Sequence, residues 1–141
     1  MEGIDIEIFE YHGEGYKPMI DYVGWRVAVL KYCAELLPTE IYKMQKHDET
    51  DEVFVLLSGN CILFSAGKGS RPEKTTAVSM ENLKLYNVKK GVWHTHTLSI
   101  DAQVLIIENQ DTSLINSPEA NLDKQQQETI VDLTKQLWEL L

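Results

Sequence analysis

Cysteine is scarce in this sequence. Only Cys33 and Cys61 occur among 141 residues, which is too few for a disulfide framework, and their spacing is not that of a zinc-binding pair. A reducing cytoplasm is therefore the expected compartment. Long apolar runs are also lacking, and no basic-then-apolar leader is visible, so we expect neither a membrane span nor secretion.

Positive charge is in short supply as well. Thirteen Lys and Arg stand against 22 Asp and Glu, a formal net charge of −9. This balance argues against nucleic acid or an anionic membrane surface as the main partner. With 43% hydrophobic residues, the chain is long enough for one domain with its own core. We predict a single domain over residues 1–141, with a barrel over about 1–116 and a helix over about 118–141.

Short segments with alternating or β-branched residues predict strands. The segment 52–65 is expected to form two strands of a hairpin that turns at Ser58, Gly59 and Asn60. One short helical turn, stopped by Pro38, is expected within residues 33–42. Such a series of short strands is typical of an all-β sandwich or barrel. The strand segments are residues 3–10, where Ile4, Ile6 and Ile8 alternate with acids, and residues 24–32, 52–65, 82–88 and 102–108.

The C-terminal segment has a different period. Ser117 can cap a helix whose first position is Pro118. We predict an amphipathic helix that lies on the barrel or on a partner subunit. Its apolar stripe consists of Leu122, Ile130, Leu133, Leu137 and Leu141, widened by Val131, Trp138 and Leu140.

The stretch HDETDE, residues 47–52, combines a histidine with four carboxylates. In the strand that follows, alternation puts Glu52 on one face with Phe54 and Leu56. The opposite face carries Val53, Val55 and Leu57, so we expect both faces to be covered and Glu52 to point into the protein. An unpaired buried carboxylate is costly, and a metal ion, an arginine or a shifted pKa would each compensate. Asp48, Glu49 and Asp51 are expected to form a solvated turn.

A second group of polar residues lies 42 positions after Glu52. His94 and His96 are two residues apart, so on a strand they share a face. Taken alone, this pair fits a hydrogen-bonded structural role as well as a ligand role. Gly91 permits a sharp change of backbone direction just before them.

Together these residues resemble the two motifs of the cupin superfamily, G-x5-H-x-H-x(3,4)-E-x6-G and G-x5-P-x-G-x2-H-x3-N. His47, Glu52 and Gly59 match the second half of the first motif, and Gly91 and His94 match the G-x2-H of the second. The resemblance spans roughly residues 25–108. It implies a double-stranded β-helix, or jelly-roll, barrel.

The departures from the motifs affect the ligands that the resemblance implies. The first histidine of the family falls on Gln45, the proline on Lys89 and the asparagine on Leu98. The implied set is then His47, Glu52 and His94, which would accept Fe(II), Mn, Ni or Zn. Gln45 is expected to add a weak carbonyl ligand or to hydrogen-bond a bound water. His96 could replace the missing histidine if its ring reaches the same cavity.

The resemblance implies two classes of function. The first is a metal-dependent enzyme that acts on a small polar organic molecule as a lyase, isomerase or dioxygenase. GVWH, residues 91–94, is similar to the ureidoglycolate lyase branch. Lys84 and Tyr86 are the candidate catalytic residues, since the chemistry needs a group that moves a proton. The alternative is a non-catalytic ligand-binding or sensor protein with a degenerate metal site. In both cases the doubly apolar strands and the apolar helix stripe predict a homodimer.

Overall fold

The computed structural model describes residues 5–139, which form ten strands, two short 3₁₀ helices and one α-helix. The strands are β1 (Gly15–Tyr22), β2 (Trp25–Lys31), β3 (Lys43–Gln45), β4 (Glu52–Ser58), β5 (Cys61–Ser65), β6 (Thr76–Ser79), β7 (Leu85–Val88), β8 (His94–Leu98), β9 (Gln103–Asn109) and β10 (Glu119–Asn121). The 3₁₀ helices are Ala34–Leu36 and Pro38–Glu40, and the α-helix, α1, is Lys124–Glu139.

Two five-stranded antiparallel sheets pack against each other. The first sheet has the strand order β1-β2-β9-β4-β7, and the second has the order β10-β3-β8-β5-β6. The all-β prediction with a C-terminal helix is therefore confirmed. One core fills the space between the sheets, because alternate residues of the central strands point inward. Its buried residues are Ala28, Leu30, Phe54, Leu56, Cys61, Leu63, Met80, Leu98, Ala102, Val104 and Ile106.

A second core lies on the outer face of the second sheet, under α1. Strand β5 contributes to both cores, since Cys61 and Leu63 face inward while Ile62 and Phe64 face the helix. From α1, Ile130 is fully buried, and Leu133, Leu137 and Trp138 pack around it. The apolar stripe of the helix is thus covered by its own domain. Leu140 and Leu141, which the predicted stripe included, lie outside the described residues.

The start of α1 differs from the prediction. Residues 119–121 form β10, and the helix begins at Lys124 rather than near Pro118. The cap is a reciprocal pair, in which Asp123 Oδ1 accepts from the Gln126 backbone N–H and Gln126 Oε1 accepts from the Asp123 backbone N–H. Ser117 is therefore not the helix cap.

The predicted hairpin at residues 58–60 is wrong in its pairing. Strands β4 and β5 exist, but β4 pairs with β7 and β9 in the first sheet, whereas β5 pairs with β6 and β8 in the second. The turn therefore carries the chain from one sheet to the other. Gly59 has φ of +71°, and a Cβ there would lie 2.5 Å from the Ala102 Cα, so this crossing requires glycine.

The N-terminal strand was also misplaced. Residues 5–10 form no strand, and Ile6 and Ile8 are exposed, while Ile4 lies outside the described residues. The first strand of the described residues is instead Gly15–Tyr22, which contains Gly15 and Pro18. Pro18 is tolerated because β1 is an edge strand.

The outer face of the first sheet is not covered as the double apolar pattern predicted. Val53 and Val55 are half-buried, and Leu57 is 46% exposed. Other apolar side chains also remain exposed on this sheet, namely Ile20, Tyr22, Trp25, Leu85 and Ile107. Within residues 5–139, no helix has the length and apolar character needed to cross a membrane.

Candidate metal centre

Three of the predicted site residues meet at one end of the space between the sheets. His47 lies in the loop after β3, Glu52 is the first residue of β4, and His94 is the first residue of β8. Their side chains are only 6–7% exposed. Since β4 belongs to the first sheet and β8 to the second, the cluster joins the two sheets.

The three side chains point at one another through potential ligand atoms. His94 Nε2 lies 2.8 Å from Glu52 Oε1, and His47 Nε2 lies 3.3 Å from the same oxygen. One ligand atom from each residue can be chosen so that all lie within 4.8 Å of one another. These donors are close enough to hold one divalent ion.

The far side of the His47 ring is fixed by a hydrogen-bond chain. The Ser117 hydroxyl donates to Asn116 Oδ1 at 3.0 Å, so its oxygen is left to accept from His47 Nδ1 at 2.7 Å. Asn116 Nδ2 in turn donates to Glu49 Oε2 at 3.1 Å. The proton on Nδ1 leaves the Nε2 lone pair facing Glu52, as a metal-binding imidazole requires.

The His94 ring is fixed by the backbone. Its Nδ1 donates to the Val92 carbonyl oxygen at 2.9 Å, while Nε2 faces Glu52 Oε1. Both ring nitrogens therefore face oxygen acceptors. Either the ring carries two protons, or a cation lies between Nε2 and the carboxylate. The donor set and the orientation of both histidines fit a metal ion.

Mutual interaction also sets the protonation of the cluster. Burial acts to raise the pKa of Glu52, but hydrogen bonds with His47, His94 and Glu108 outweigh burial and hold it well below its usual value. Burial acts to lower the pKa of His94, and the Glu52 carboxylate outweighs it, so that pKa is raised. In the metal-free protein, Glu52 is thus ionised and stabilises a protonated His94.

Glu108 is a buried acid beside the cluster that sequence analysis missed. Residues Val53 and Ile107 are paired between β4 and β9, which places Glu52 and Glu108 side by side. Glu108 Oε2 lies 3.8 Å from His47 Nε2, and Glu108 Oε1 accepts from the Tyr16 hydroxyl at 2.5 Å. Burial, with the adjacent Glu52 carboxylate, raises the pKa of Glu108 to about 8. The alternation of Val104, Ile106 and Glu108 already indicated that Glu108 points inward.

The cluster lies on the wall of a cavity of about 380 Å³. The remaining lining is a mixture of apolar and polar side chains, namely Tyr16, Leu30, Leu36, Lys43, Met44, Gln45, Thr95, His96, Ile106, Glu108, Thr112 and Glu119. A neighbouring groove of about 560 Å³ shares Leu36, Lys43 and Thr95 with this cavity. The cluster therefore faces a space that can admit a small molecule with several polar groups.

His96 and Gln45 line the same cavity as the cluster but are not part of it. The His96 Nδ1 atom is buried with no hydrogen-bond partner, and burial lowers the pKa of the ring to about 4, so His96 is neutral at neutral pH. Gln45 pairs with His94 across β3 and β8, and its Nε2 donates to the Ser117 carbonyl oxygen at 3.1 Å. His96 does not belong to the group of side chains that the structure brings within 4.8 Å of one another.

Lys84 and Tyr86, the candidate catalytic residues from sequence, lie elsewhere. Lys84 is exposed and pairs with Glu81, and the Tyr86 hydroxyl oxygen accepts from the Glu81 backbone N–H. Neither lines the cavity that contains the cluster. The alternation of this segment did not reveal which face points inward, and the structure does not bring these two residues to the site.

Comparisons with known proteins address the fold. No protein-family model and no curated protein matches the chain. Solved structures do match it. A cupin-2 domain containing protein from Shewanella frigidimarina aligns over 71% of this chain and 85% of its own, with 16% identity and a TM-score of 0.50. A 3,4-ketoisomerase mutant from Thermoanaerobacterium thermosaccharolyticum, in complex with TDP-4-keto-6-deoxyglucose, aligns over 79% of this chain and 72% of its own, with 10% identity and a TM-score of 0.50.

The chain has a cupin fold. The fold implied by the residues around Glu52 and His94 is thereby confirmed. At these identities the likeness concerns the fold alone, and a fold of this kind supports many activities. Within the cupin barrel, the function has to be argued from the cluster and its cavity.

Proposed function

We propose that this protein is a metal-dependent enzyme that acts on a small polar organic molecule, with the metal held by His47, Glu52 and His94. The observation that supports this proposal is the orientation of the two histidines. Each uses Nδ1 in a hydrogen bond to an oxygen outside the cluster, and each turns Nε2 toward Glu52. Ligand histidines in metal sites are oriented in this way.

Two imidazoles and a carboxylate suit Fe(II), Mn, Ni or Zn. A bound ion of this kind would supply Lewis acidity to a carbonyl or hydroxyl oxygen of the substrate. The chain supplies the remaining contacts. Tyr16 and neutral His96 line the cavity and can hydrogen-bond polar groups of the substrate, while Lys43 places a positive charge on the same wall.

Among lyase, isomerase and dioxygenase chemistry, we favour proton transfer next to a carbonyl group, the step that isomerases and many lyases share. The structural neighbour with a keto sugar bound is named a ketoisomerase, which supports this class. The polar lining of the cavity also suits a hydroxylated substrate better than an apolar one. A non-catalytic binding role is the alternative that the following experiment separates.

The experiment follows exchange of the proton next to a carbonyl group. Metal-free protein is loaded in turn with Mn(II), Fe(II), Ni(II) and Zn(II) and mixed with keto sugars and hydroxy acids in deuterated water. Metal-dependent loss of the exchanging signal by proton NMR is expected for the wild type and for Lys84→Ala, and no loss for His94→Ala. Tight metal binding without exchange or product, across the panel, would instead favour the binding role.

We also propose a homodimer that forms through the outer face of the first sheet. The apolar stripe of α1 does not support this dimer, because the stripe is already covered within the same chain. The outer face of the first sheet supports it, because Trp25, Leu57 and Ile107 are 39–46% exposed beside half-buried valines. Apolar faces of this kind are typical of subunit interfaces. Sedimentation should show a dimer for the wild type and for Ile100→Lys, which changes an exposed loop residue, and a monomer for Ile107→Lys. A monomeric wild type at micromolar concentration would refute this interface.

A reducing compartment such as the cytoplasm is proposed as the location. Both cysteines are free thiols, and burial raises the pKa of Cys61 to about 12, so this thiol is protected rather than paired. Fractionation of cells that express the untagged protein would test the location, and recovery from an oxidising compartment would contradict it.

A further inference from the structure

The cupin motif leaves this cluster with one protein ligand fewer than its usual four. The position of the missing histidine is occupied by Gln45. Its amide nitrogen donates to the Ser117 carbonyl oxygen at 3.1 Å, and a neutral amide oxygen is a weaker ligand than the imidazole that it replaces. A stronger replacement ligand would have to come from another element.

Glu108 approaches the cluster from a strand that neither motif includes. It is placed by β9, whose inward residues Val104 and Ile106 belong to the core, and its side chain is 4% exposed. The Tyr16 hydroxyl binds Oε1, so that oxygen is already used. Oε2 faces the cluster, 3.8 Å from His47 Nε2.

The negative charges of Glu52 and Glu108 favour a cation between their two carboxylates. Glu52 and Glu108 are adjacent and buried, and within residues 5–139 their ion-pair partners are histidines rather than lysine or arginine. Two neighbouring buried carboxylates are costly unless a proton or a metal ion lies between them. A divalent ion next to His47 and His94 would neutralise both.

We propose that Glu108 is the fourth protein ligand of the metal, through Oε2, and that it takes the place that the cupin motif gives to its first histidine. The centre would then contain two histidines and two carboxylates, with Tyr16 holding the second carboxylate in position. This inference rests on the proposed metal site and extends it by one residue.

The test compares metal binding by the wild type, Glu108→Gln and Tyr16→Phe, with Mn(II) titrated by calorimetry and Co(II) followed by its visible spectrum. Glu108→Gln keeps the shape of the side chain but provides a much weaker ligand. We expect it to lower the affinity for Mn(II) by about tenfold or more and to change the Co(II) bands. Tyr16→Phe keeps the carboxylate but removes the hydrogen bond that holds it in position, so it should weaken Mn(II) binding by less than Glu108→Gln does.

The outcomes are distinct. Wild-type affinity and an unchanged Co(II) spectrum in Glu108→Gln would overturn the inference and leave the site of His47, Glu52 and His94 intact. A weaker affinity with an unchanged spectrum would also overturn it, because Glu108 would then act outside the ligand set. If the wild type binds neither ion, both this inference and the proposed function fail. Should Glu108→Gln not fold, Glu108→Asp, which withdraws the carboxylate, is measured in the same way with the same expectation.

Discussion

The inward faces of the central strands change character from one end of the barrel to the other. Strand β4 begins with the buried carboxylate of Glu52 and continues with Phe54 and Leu56, and β8 begins with His94 and ends with Leu98. Strand β9 is antiparallel to β4, and its last buried residue is Glu108. The same strands therefore build a charged cluster at one end and an apolar core at the other.

This contrast separates two tasks. The apolar end stabilises the fold by burying hydrocarbon, while the charged end places ionisable groups where burial alone would disfavour them. Functional sites are the places where ionisable side chains are expected to occupy buried positions against the usual pattern. Substitutions at the apolar end should therefore change stability and leave metal binding intact, whereas substitutions at the charged end should weaken metal binding.

The largest stability effect is expected at the apolar end. Leu56 is 1% exposed, so Leu56→Ala should lower the free energy of unfolding by about 2–5 kcal/mol, through lost burial and the cavity that remains. Urea denaturation of metal-free protein measures it. Ile100→Ala, at an exposed loop position outside the proposed dimer face, should change it by no more than about 0.5 kcal/mol. Equal losses in the two variants would show that this face of β4 is not the core.

The metal-free protein should lose stability as pH rises, because of the raised pKa values at the charged end. The pKa of Glu108 is raised from 4.5 to about 8 by burial and by Glu52, so between these values the folded state holds a proton that the unfolded state releases. The stability that this proton provides is lost as pH rises, by about 1.4 kcal/mol for each unit of pKa displacement. The raised pKa of His94 acts in the same direction above its ordinary value of 6.5.

Thermal unfolding at pH 6 and pH 8.5 tests this dependence. The metal-free wild type should melt several degrees lower at pH 8.5, and Glu108→Gln, which has no proton to lose at this position, should show a smaller difference. A wild type that melts at a higher temperature at pH 8.5 than at pH 6 would contradict the assignment.

The hydrogen-bond chain behind His47 should affect metal binding more than stability. Ser117→Ala removes the oxygen that accepts from His47 Nδ1, and loss of such a partner typically weakens metal binding by about 10–100-fold. Competition with a chelator measures the affinity. Ser113→Ala, an exposed position in the same segment, is the control. If both variants bind as tightly as the wild type, Ser117 does not orient the ring.

The smallest effect is expected outside the barrel, at the start of α1. Asp123→Ala removes the side chain that accepts from the Gln126 backbone N–H, and lost caps of this kind cost about 1 kcal/mol. Asp132→Ala, at an exposed position within the helix, should cost less. Urea denaturation would contradict the assigned cap if Asp132→Ala proved the more destabilising of the two.

The alternation along the strand predicted that Glu52 points inward, because successive side chains of a strand point to opposite faces of the sheet. It could not predict which strands pair, since pairing is decided by contacts far apart in sequence. For this reason the turn at Gly59 was assigned to a hairpin, although it crosses between sheets. Residues 5–10 have the alternating pattern of a strand, but they have no neighbouring strand with which to pair.

The candidate site was also predicted only in part. His47, Glu52 and His94 were identified from motif spacing, and the structure brings them together. Glu108 was overlooked because a single acid at the end of a strand has no motif around it. Ser117 was assigned to a helix cap because Ser-Pro-Glu resembles one, and only the folded chain shows that its hydroxyl meets a histidine 70 positions away.

The metal content of the purified protein tests the central claim most directly. Untagged wild type, His94→Ala and Asp48→Ala are loaded under identical conditions at neutral pH, freed of loose metal and measured by elemental analysis. Asp48 is a good control because it lies next to His47 with its side chain exposed. We predict about one ion per chain in the wild type and Asp48→Ala, and almost none in His94→Ala. A wild type without metal under every loading condition, or His94→Ala with full metal content, would contradict the account.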